Sequence, residues 1–213
     1  VGKNLISKFN GKYEIFKFER DSKININQNI VIHLAGIAHD TSNKLDSKIY
    51  YEINTELTIK VFDNFLKSNA SDFIFLSSVK AARDSYDSKL DEDVIAKPKT
   101  DYGKSKLMAE QYILTTKLPK NKRVFILRPC MIYGPGNKGN LNLLYNIVSK
   151  GIPWPLGNYH NKRSFCSINN LIFIIDKLIN NKDIMSGIYN ISDNESLSTN
   201  EIIELIYKSQ NKR

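Results

Sequence analysis

The stretch Phe73-Ile-Phe-Leu-Ser-Ser78 is a short, continuously apolar run that ends in two serines. Runs of this kind are typical of strands buried on both faces, as in the parallel sheets of α/β proteins. Ile30 to Ala35 and Val124 to Leu127 have the same character, and Pro129 follows the second of them. We predict these three runs, together with Tyr13 to Phe18, to be strands.

Helical patterns separate the predicted strands. Ser47 to Ser68 carries apolar residues at helical spacing, and Tyr102 to Leu114 is predicted to form a second helix. This alternation predicts an α/β fold, a doubly wound parallel sheet of the Rossmann type, whose ligands bind at the carboxyl ends of the strands. Between the Tyr13 to Phe18 run and Ile30, Asp21 to Asn29 is too short for the usual crossover of at least about ten residues. A strand–helix unit is therefore expected to have been lost there.

The last third of the chain has a different texture, with many glycine and proline turns followed by two helical patterns near Asn170 to Asn180 and Thr199 to Lys208. We predict residues 1–136 to form the dinucleotide-binding core. Residues 137–213 are predicted to form mostly a smaller substrate-binding lobe, partly interleaved with the core.

Composition excludes several classes of protein. With 41% hydrophobic and 25% charged residues, the chain of 213 residues is typical of a soluble globular protein. Its apolar runs are far shorter than the ~20 residues of a membrane helix. The net charge of +9 comes from scattered lysines, without zinc-type spacing, so neither nucleic acid nor a metal is expected. Cys130 and Cys166 lie in apolar stretches without a C-x-x-C pattern, which predicts reduced thiols and a cytoplasmic location.

The segment Tyr102-Gly-Lys-Ser-Lys106 carries the predicted catalytic pair. Residues four apart on a helix share a face, so the phenol and the ammonium group converge. A fixed positive charge lowers the pKa of a phenol and allows it to act as an acid or base near neutral pH. The same spacing at Tyr13 and Lys17 falls in a predicted strand, where the two side chains would be about 13 Å apart. That pair is therefore excluded.

Three other features point to the same edge of the predicted sheet. The hydroxyls of Ser77 and Ser78 follow a buried strand and are placed to bind a substrate oxygen. Val31-Ile-His-Leu-Ala-Gly36 ends in small residues, which allow a flat ligand to approach the backbone. Asn54 lies on the inner face of the first long helix, where a buried amide needs hydrogen-bond partners. We predict that Asn54 belongs to a polar relay beneath the catalytic pair.

Together these motifs resemble the extended short-chain dehydrogenases/reductases, the NAD-dependent epimerase/dehydratase family, over nearly the whole chain. Leu127-Arg-Pro-x-x-x-Tyr-Gly-Pro-Gly136 belongs to the same pattern, and Tyr102 to Gln111 is similar to the UDP-glucose 4-epimerases and their relatives. Three further segments resemble bacterial enzymes that reduce or epimerise UDP-N-acetylhexosamine derivatives for surface polysaccharides. They are Ser77-Ser-Val-Lys-Ala81, Gly151-Ile-Pro-Trp-Pro-Leu-Gly157 and Asn161-Lys-Arg-Ser164.

The resemblance implies a role for each residue of the site. Tyr102 would pass a proton to or from the 4-oxygen of a nucleotide sugar while a hydride moves between carbon 4 and the nicotinamide. Ser78 would bind the same oxygen, and Lys106 would lower the pKa of Tyr102 and hold the nicotinamide ribose. Arg163 would contact the nucleotide diphosphate, and Asn140 the same nucleotide. The implied residues of the NAD or NADP site are Gly2, Arg20, Leu34, Ala35, Gly36, Ser77, Tyr102, Lys106 and Pro129.

The sequence departs from the family pattern at its amino terminus. The chain begins at Val1 in helix-like sequence, and of the glycine-rich phosphate loop it holds the last glycine, Gly2. We therefore expect the first strand to be missing, and the pyrophosphate site with it, so that this chain binds cofactor poorly. Glu19 favours NAD and Arg20 favours NADP, and the choice between the two cofactors stays open.

Two function hypotheses follow. The first is an NAD(P)-dependent nucleotide-sugar 4-epimerase or 4-keto-reductase, and the second is a non-catalytic or inactive binding protein on the same fold. The intact set of Ser78, Tyr102 and Lys106 favours the enzyme. Val79 and Lys80 stand where the family's dehydratases carry an Asp-Glu pair, which disfavours a dehydratase. The resemblance also implies a homodimer formed through the helix that carries the Tyr-Lys pair.

Overall fold

The computed structural model describes residues 1–18, 24–38, 46–86, 88–136, 140–152 and 161–210. Helix α2, a π-helical turn and α3 follow one another without a break, which confirms the helix predicted over Ser47 to Ser68. The elements in chain order are α1 (Gly2–Phe9), β1 (Ile30–His33), α2 (Ser47–Tyr50), the π-helical turn (Tyr51–Glu56), α3 (Leu57–Lys67), β2 (Asp72–Leu76), α4 (Val79–Ala82), α5 (Asp101–Thr115), β3 (Arg123–Pro129), β4 (Met131–Tyr133), α6 (Asn140–Ser149), β5 (Arg163–Ser167), α7 (Ile168–Asn180), β6 (Gly187–Ile191), β7 (Ser196–Leu197) and α8 (Thr199–Ser209).

The main sheet has four parallel strands in the order β1-β2-β3-β6. Its register pairs Ile30 with Asp72, Asp72 with Arg123, and Phe125 with Gly187. The helices that connect these strands make this a parallel α/β fold of the Rossmann type, as predicted.

Both faces of the sheet are buried, which explains the continuously apolar strands. On one face, Phe73 and Phe75 of β2 pack with Phe62 and Phe65 of α3 and with residues of α5. On the other face, Ile74 has no exposed surface either. Neighbouring residues of a strand point to opposite faces, so in a strand covered on both sides every residue is buried. Such a strand is therefore apolar throughout and does not alternate between apolar and polar residues.

The prediction of a strand over Tyr13 to Phe18 is wrong. The segment has no regular structure, and Phe16 and Phe18 are 60% and 47% exposed. Tyr13 instead turns its hydroxyl onto helix α7, where it donates a hydrogen bond of 2.8 Å to Asp176. An apolar run becomes a strand when its backbone groups find a neighbouring strand, and among the described residues this segment has no such partner.

The chain forms two compact units. One contains Val1–Pro129 and Ile172–Ile191, and with them the four-stranded parallel sheet. The other contains Cys130–Leu171 and Ser192–Arg213, and holds a sheet of three short strands in the order β4-β5-β7. Strand β6 belongs to the first unit because it pairs in parallel with β3. No helix in the described ranges is long and apolar enough to cross a membrane.

Candidate active site

Helix α5 presents Tyr102 and Lys106 on one face, one turn apart, at its amino-terminal end. Thr100 caps this helix, because its hydroxyl accepts a hydrogen bond of 3.2 Å from the amide of Gly103. Gly103 lies directly against helix α4, and a Cβ atom added to it would clash with the carbonyl oxygen of Lys80. The absence of a side chain at Gly103 therefore allows the start of α5 to approach the segment that follows β2.

The carboxyl end of β2 brings its backbone and Ser78 to the same helix face. The Nζ atom of Lys106 donates a hydrogen bond of 3.0 Å to the carbonyl oxygen of Leu76. Ser78 is close enough to Tyr102 for its hydroxyl to act on the phenol and lower its pKa. It also caps helix α4 by accepting a hydrogen bond of 3.2 Å from the amide of Lys80. Ser78 thus has two roles, since it caps α4 and also acts on the tyrosine.

Lys106 is a buried cation, 4% exposed, whose Nζ atom lies 4.8 Å from the centre of the Phe75 ring. Burial lowers the pKa of Lys106 from its usual value to about 8, and the negative charge of Glu110 opposes this shift. The ammonium form still predominates at neutral pH.

Tyr102 differs electrostatically from the sequence expectation. Burial raises the pKa of its phenol; the contact with Ser78 works against this, and the charge of Glu110 adds to it. Lys106 is not among the groups that act on this pKa, and burial dominates because removing a phenolate from water is costly. The Lys106 ammonium group also directs a hydrogen bond to Leu76. The tyrosine is therefore protonated at neutral pH.

Asn54 holds the loop after β1 against α5. Its side chain is fully buried in the π-helical turn. The Oδ1 atom accepts a hydrogen bond of 2.9 Å from the amide of Ile37, and Nδ2 donates to the Ile37 carbonyl at 3.2 Å and to the Ser105 hydroxyl at 3.1 Å. The amide thus has the buried partners that the sequence required of it, and these contacts position Gly36 beside Lys106.

Gly36 lies directly against Lys106 and Asn54. A Cβ atom added to Gly36 would lie 2.9 Å from Nζ of Lys106 and 3.0 Å from Oδ1 of Asn54. The backbone therefore passes close to the lysine, as the small residues at the end of β1 indicated. Gly2, at the start of α1, is close to the same loop, since its added Cβ would be 3.8 Å from Leu34.

The known proteins that this chain is similar to identify its family. Residues 18–192 match the NAD dependent epimerase/dehydratase family. The chain belongs to this family. It is 34% identical, over 182 residues, to a UDP-glucose 4-epimerase of Vibrio cholerae, with 83% of this chain and 56% of that protein covered. It is 27% identical over 193 residues to a dTDP-4-dehydro-6-deoxyglucose reductase of Escherichia coli, with 86% and 60% covered.

A solved structure of this epimerase/dehydratase type has the same fold. The UDP-glucuronic acid 4-epimerase of Bacillus cereus, in complex with NAD, superposes with a TM-score of 0.74 at 23% identity. The alignment covers 87% of this chain and 60% of that one. The chain thus spans between half and two thirds of the length of these relatives.

Three other predicted ligand positions of the family pattern can be located in the core unit. Ser77 follows β2, where its amide donates a hydrogen bond of 2.7 Å to the Leu127 carbonyl and its hydroxyl donates to Glu110. Pro129 is buried at the end of β3, and Ala35 lies in the loop between Leu34 and Gly36. Their contacts with a cofactor stay predictions.

The remaining predicted residues of the family's substrate and cofactor sites are Arg163, Arg20 and Asn140. Arg163 is exposed at the start of β5 in the second unit, where it pairs with Leu197. Arg20 lies outside the described residues. Asn140 begins helix α6, and its side chain is also outside the described part.

The described residues fit the nicotinamide-ribose end of the family's cofactor. The Gly36 backbone borders the Lys106 ammonium group with no side chain between them. An ammonium group has three N–H donors, and the one hydrogen bond described for Lys106 is with Leu76, so the lysine has the capacity to bind ribose hydroxyls as well. Within the described ranges, no cluster of three or more His, Cys, Asp or Glu side chains could hold a metal ion.

Sequence reasoning missed a buried ion pair next to these residues. Glu110 and Arg128 have side chains 0% and 4% exposed, and their closest atoms are 2.5 Å apart. Glu110 continues the helix face of Tyr102 and Lys106 by one more turn, and Arg128 interrupts an otherwise apolar strand. A charged residue within each buried pattern was the signal that could have revealed two buried charges, although not that they pair with each other.

His33, at the end of β1, is buried and neutral in the folded protein. Its Nε2 atom lies 2.9 Å from the hydroxyl of Thr58, which itself donates to the carbonyl of Asn54, so Nε2 is the donor. The ring stacks near Phe73 and Phe75, with ring centres 6.2 and 5.8 Å away. Burial, helped by the charge of Lys106, lowers the pKa of His33 to about 3.

We expect this histidine to make the stability of the protein depend on pH. Below the usual histidine pKa of about 6.5, His33 is protonated in the unfolded chain but stays neutral in the folded protein. The free energy of unfolding therefore falls as the pH falls towards 3. Between about pH 7 and pH 5 the loss is about 2 kcal/mol in the free energy of unfolding. Urea denaturation at both values measures it. His33→Gln, which does not titrate, should remove most of this difference; an equal difference in the variant contradicts the assignment.

Proposed function

We propose that this protein is an NAD(P)-dependent enzyme acting on carbon 4 of a nucleotide-activated sugar. The observation that carries the proposal is the placement of Tyr102 one helical turn from the buried Lys106, at the carboxyl edge of a parallel sheet where Ser78 acts on the phenol. A phenol, a hydroxyl and a fixed cation at one point are the groups needed to move a proton on and off a sugar oxygen.

The alternative, a binding protein without catalysis, explains this arrangement less well. Burial lowers the pKa of Lys106 from its usual value to about 8, so holding the ammonium group at this position costs free energy. Each pH unit by which a pKa is lowered corresponds to about 1.4 kcal/mol. A catalyst uses such a buried charge to stabilise a phenolate. A protein that merely held its ligands would use the charge for the ribose hydroxyls alone.

The protonation states determine how the residues work. NAD or NADP, when bound, supplies the hydride acceptor and donor. Tyr102 is protonated at neutral pH, so it is ready to donate a proton to the oxygen of a 4-ketone. For the oxidative direction Tyr102 must first lose its proton; the Lys106 ammonium group would stabilise this phenolate, which then accepts the proton of the 4-hydroxyl and returns to the phenol. Ser78, in contact with the phenol, holds the sugar oxygen in line with it.

The nucleotide sugar is proposed to be a UDP sugar, and more narrowly a UDP-N-acetylhexosamine derivative used for surface polysaccharide. The relationship to a UDP-glucose 4-epimerase supports the first part. The motifs of residues 77–81, 151–157 and 161–164 support the second. Arg163 is proposed to bind the diphosphate, because a guanidinium group is always charged and matches phosphate geometry, and Asn140 is proposed to bind the nucleotide.

Whether the reaction is an epimerisation or a reduction depends on the fate of the hydride. A 4-epimerase returns it to the other face of the same sugar, while a 4-keto-reductase releases the oxidised cofactor. The relatives include both kinds of enzyme. We further propose a cytoplasmic homodimer that forms through helix α5, on which Met108 and Leu114 are 48% and 53% exposed.

One assay separates these possibilities. The protein, expressed from its complete reading frame, is incubated with NAD and UDP-glucose or UDP-N-acetylglucosamine, and proton NMR follows the carbon-4 epimers. In parallel, absorbance at 340 nm follows NADH or NADPH with a UDP-4-keto-6-deoxy-N-acetylhexosamine. We expect either epimers to interconvert or the cofactor to be oxidised. If neither occurs although calorimetry shows that cofactor and nucleotide sugar bind, the enzymatic proposal is wrong and the binding protein is correct.

A further inference from the structure

The buried carboxylate of Glu110 is saturated with hydrogen bonds from two other elements. Oε1 accepts from Nε of Arg128 at 3.0 Å and from the hydroxyl of Ser77. Oε2 accepts from Nη2 of Arg128 at 2.5 Å and from Nε at 3.2 Å. The carboxylate therefore joins α5 to the adjacent ends of strands β2 and β3.

Ser77 is the residue through which this pair reaches the reacting groups. It lies between Leu76, whose carbonyl oxygen accepts from Lys106, and Ser78, whose hydroxyl contacts Tyr102. The Ser77 amide is tied to the Leu127 carbonyl at 2.7 Å, and its hydroxyl is tied to Glu110. With both groups held, the two flanking residues have little freedom to rotate away from helix α5.

Glu110 is also the negative charge that acts on the two catalytic candidates. Its field raises the pKa of Lys106 and of Tyr102. Within the described part of the chain, other titratable groups near Lys106 are Tyr102, one turn before it on α5, and His33 on β1, which is neutral above about pH 3; the cation of Arg128 on β3 lies on the far side of the Glu110 carboxylate, with which it pairs. The remaining neighbours are uncharged: the Phe75 ring and the Leu76 carbonyl from β2, and the Asn54 amide from the π-helical turn.

We propose that Glu110 is a positioning residue of the site: it lies one helical turn beyond Lys106 on α5 and anchors Leu76 to Ser78 through Ser77, while Arg128 satisfies the rest of its carboxylate. A contribution of Glu110 to the rate of turnover rests on the proposed function, because it requires that the protein is an enzyme. The effect on Lys106 does not, because it needs neither cofactor nor substrate. A pair that served the fold alone would leave the titration of Lys106 unchanged.

The test measures the pKa of Lys106 directly in the protein without added cofactor. Lysines carrying ¹³C at the ε position are followed by NMR against pH, and the Lys106 signal is assigned by its loss in Lys106→Arg. Glu110→Gln keeps the shape of the side chain and removes the charge. We expect the pKa of Lys106 to fall by about one pH unit in this variant, the lower end of the effect of a nearby opposite charge.

Asp72→Asn is the matched control. Asp72 is a second buried carboxylate, 1% exposed, at the opposite end of β2, where it pairs with Arg123 at 2.6 Å and Lys182 at 2.8 Å. Its loss should destabilise the protein and leave the Lys106 titration in place. An equal change in the pKa of Lys106 in this variant would show a general loosening of the fold and overturn the proposal.

Should Glu110→Gln fail to fold, because it leaves Arg128 buried without a partner, Glu110→Gln combined with Arg128→Met removes both charges and is expected to be tolerated. In the double variant the lost cation offsets part of the lost carboxylate, so the pKa of Lys106 should fall by less than in Glu110→Gln. A folded Glu110→Gln protein in which Lys106 titrates as in the unchanged protein, or a double variant in which its pKa rises, refutes the role of Glu110, whatever the activity. A lowered pKa in a protein that never turns over a nucleotide sugar supports that role and refutes the proposed function instead. In an active enzyme, the basic limb of the profile of kcat/KM against pH should move down with the pKa of Lys106.

Discussion

Replacing Tyr102 by phenylalanine lowers turnover by about two to four orders of magnitude, the usual contribution of a positioned general acid or base. The phenylalanine ring keeps the edge contact with Tyr50, whose ring centre is 6.5 Å from that of Tyr102. The variant loses the hydroxyl that meets Ser78 and, with it, the group that carries the proton. We therefore expect kcat to collapse while the binding of cofactor and of nucleotide sugar, measured by calorimetry, changes little.

Tyr112→Phe is a matched control on the same helix. The Tyr112 hydroxyl donates a hydrogen bond of 2.7 Å to Asp63, away from the Ser78 side of the helix. This variant removes the same atom and one hydrogen bond, worth about 1 kcal/mol of stability, without removing a reacting group. Its kcat should stay within about twofold of the unchanged enzyme. If Tyr102→Phe behaves like Tyr112→Phe, the phenol of Tyr102 is not the proton carrier.

The helices and strands that the sequence predicted well are those whose formation depends mainly on the burial of their apolar residues. Strand β2 and helix α5 are buried over their whole length or along one face, so their hydrophobic patterns were sufficient. The run Tyr13 to Phe18 has a comparable apolar character, but it forms no strand because strand formation depends on a partner elsewhere in the chain. Strand β6 was not recognised as part of the core because its pairing with β3 bridges more than fifty residues of sequence.

In the candidate site, the sequence predicted which residues meet but not their electrostatics. Ser78, Tyr102 and Lys106 come together because a strand end and a helix face have fixed geometry. The direction of the Tyr102 pKa depends on how much water reaches the phenol, which no spacing reveals. The partner of Glu110 likewise could not be read from the chain, since eighteen positions separate it from Arg128.

Replacing Gly103 by alanine is expected to be the most damaging small substitution in the core unit. In the interior of a helix this change normally stabilises by about 1 kcal/mol. Here the new Cβ would be 2.8 Å from Cβ of Pro98 and closer still to the Lys80 carbonyl oxygen. Neither atom is the end of a flexible side chain, so α4 and α5 must separate. We expect a loss of about 3 kcal/mol in the free energy of unfolding, the upper part of the range for overpacking.

The same separation should act on the chemistry, because Gly103 lies next to Tyr102 and Lys80 is two residues after Ser78. Moving α5 away from α4 lengthens the contact between the phenol and the serine, so kcat should fall in the fraction of Gly103→Ala that stays folded. Gly187→Ala is the control, since its Cβ would be 3.9 Å from Tyr189, an ordinary contact. Urea denaturation and kcat are measured for both variants. A Gly103→Ala protein as stable as Gly187→Ala would mean that α4 and α5 are not in close contact, and the contact of Ser78 with Tyr102 would then lose its structural basis.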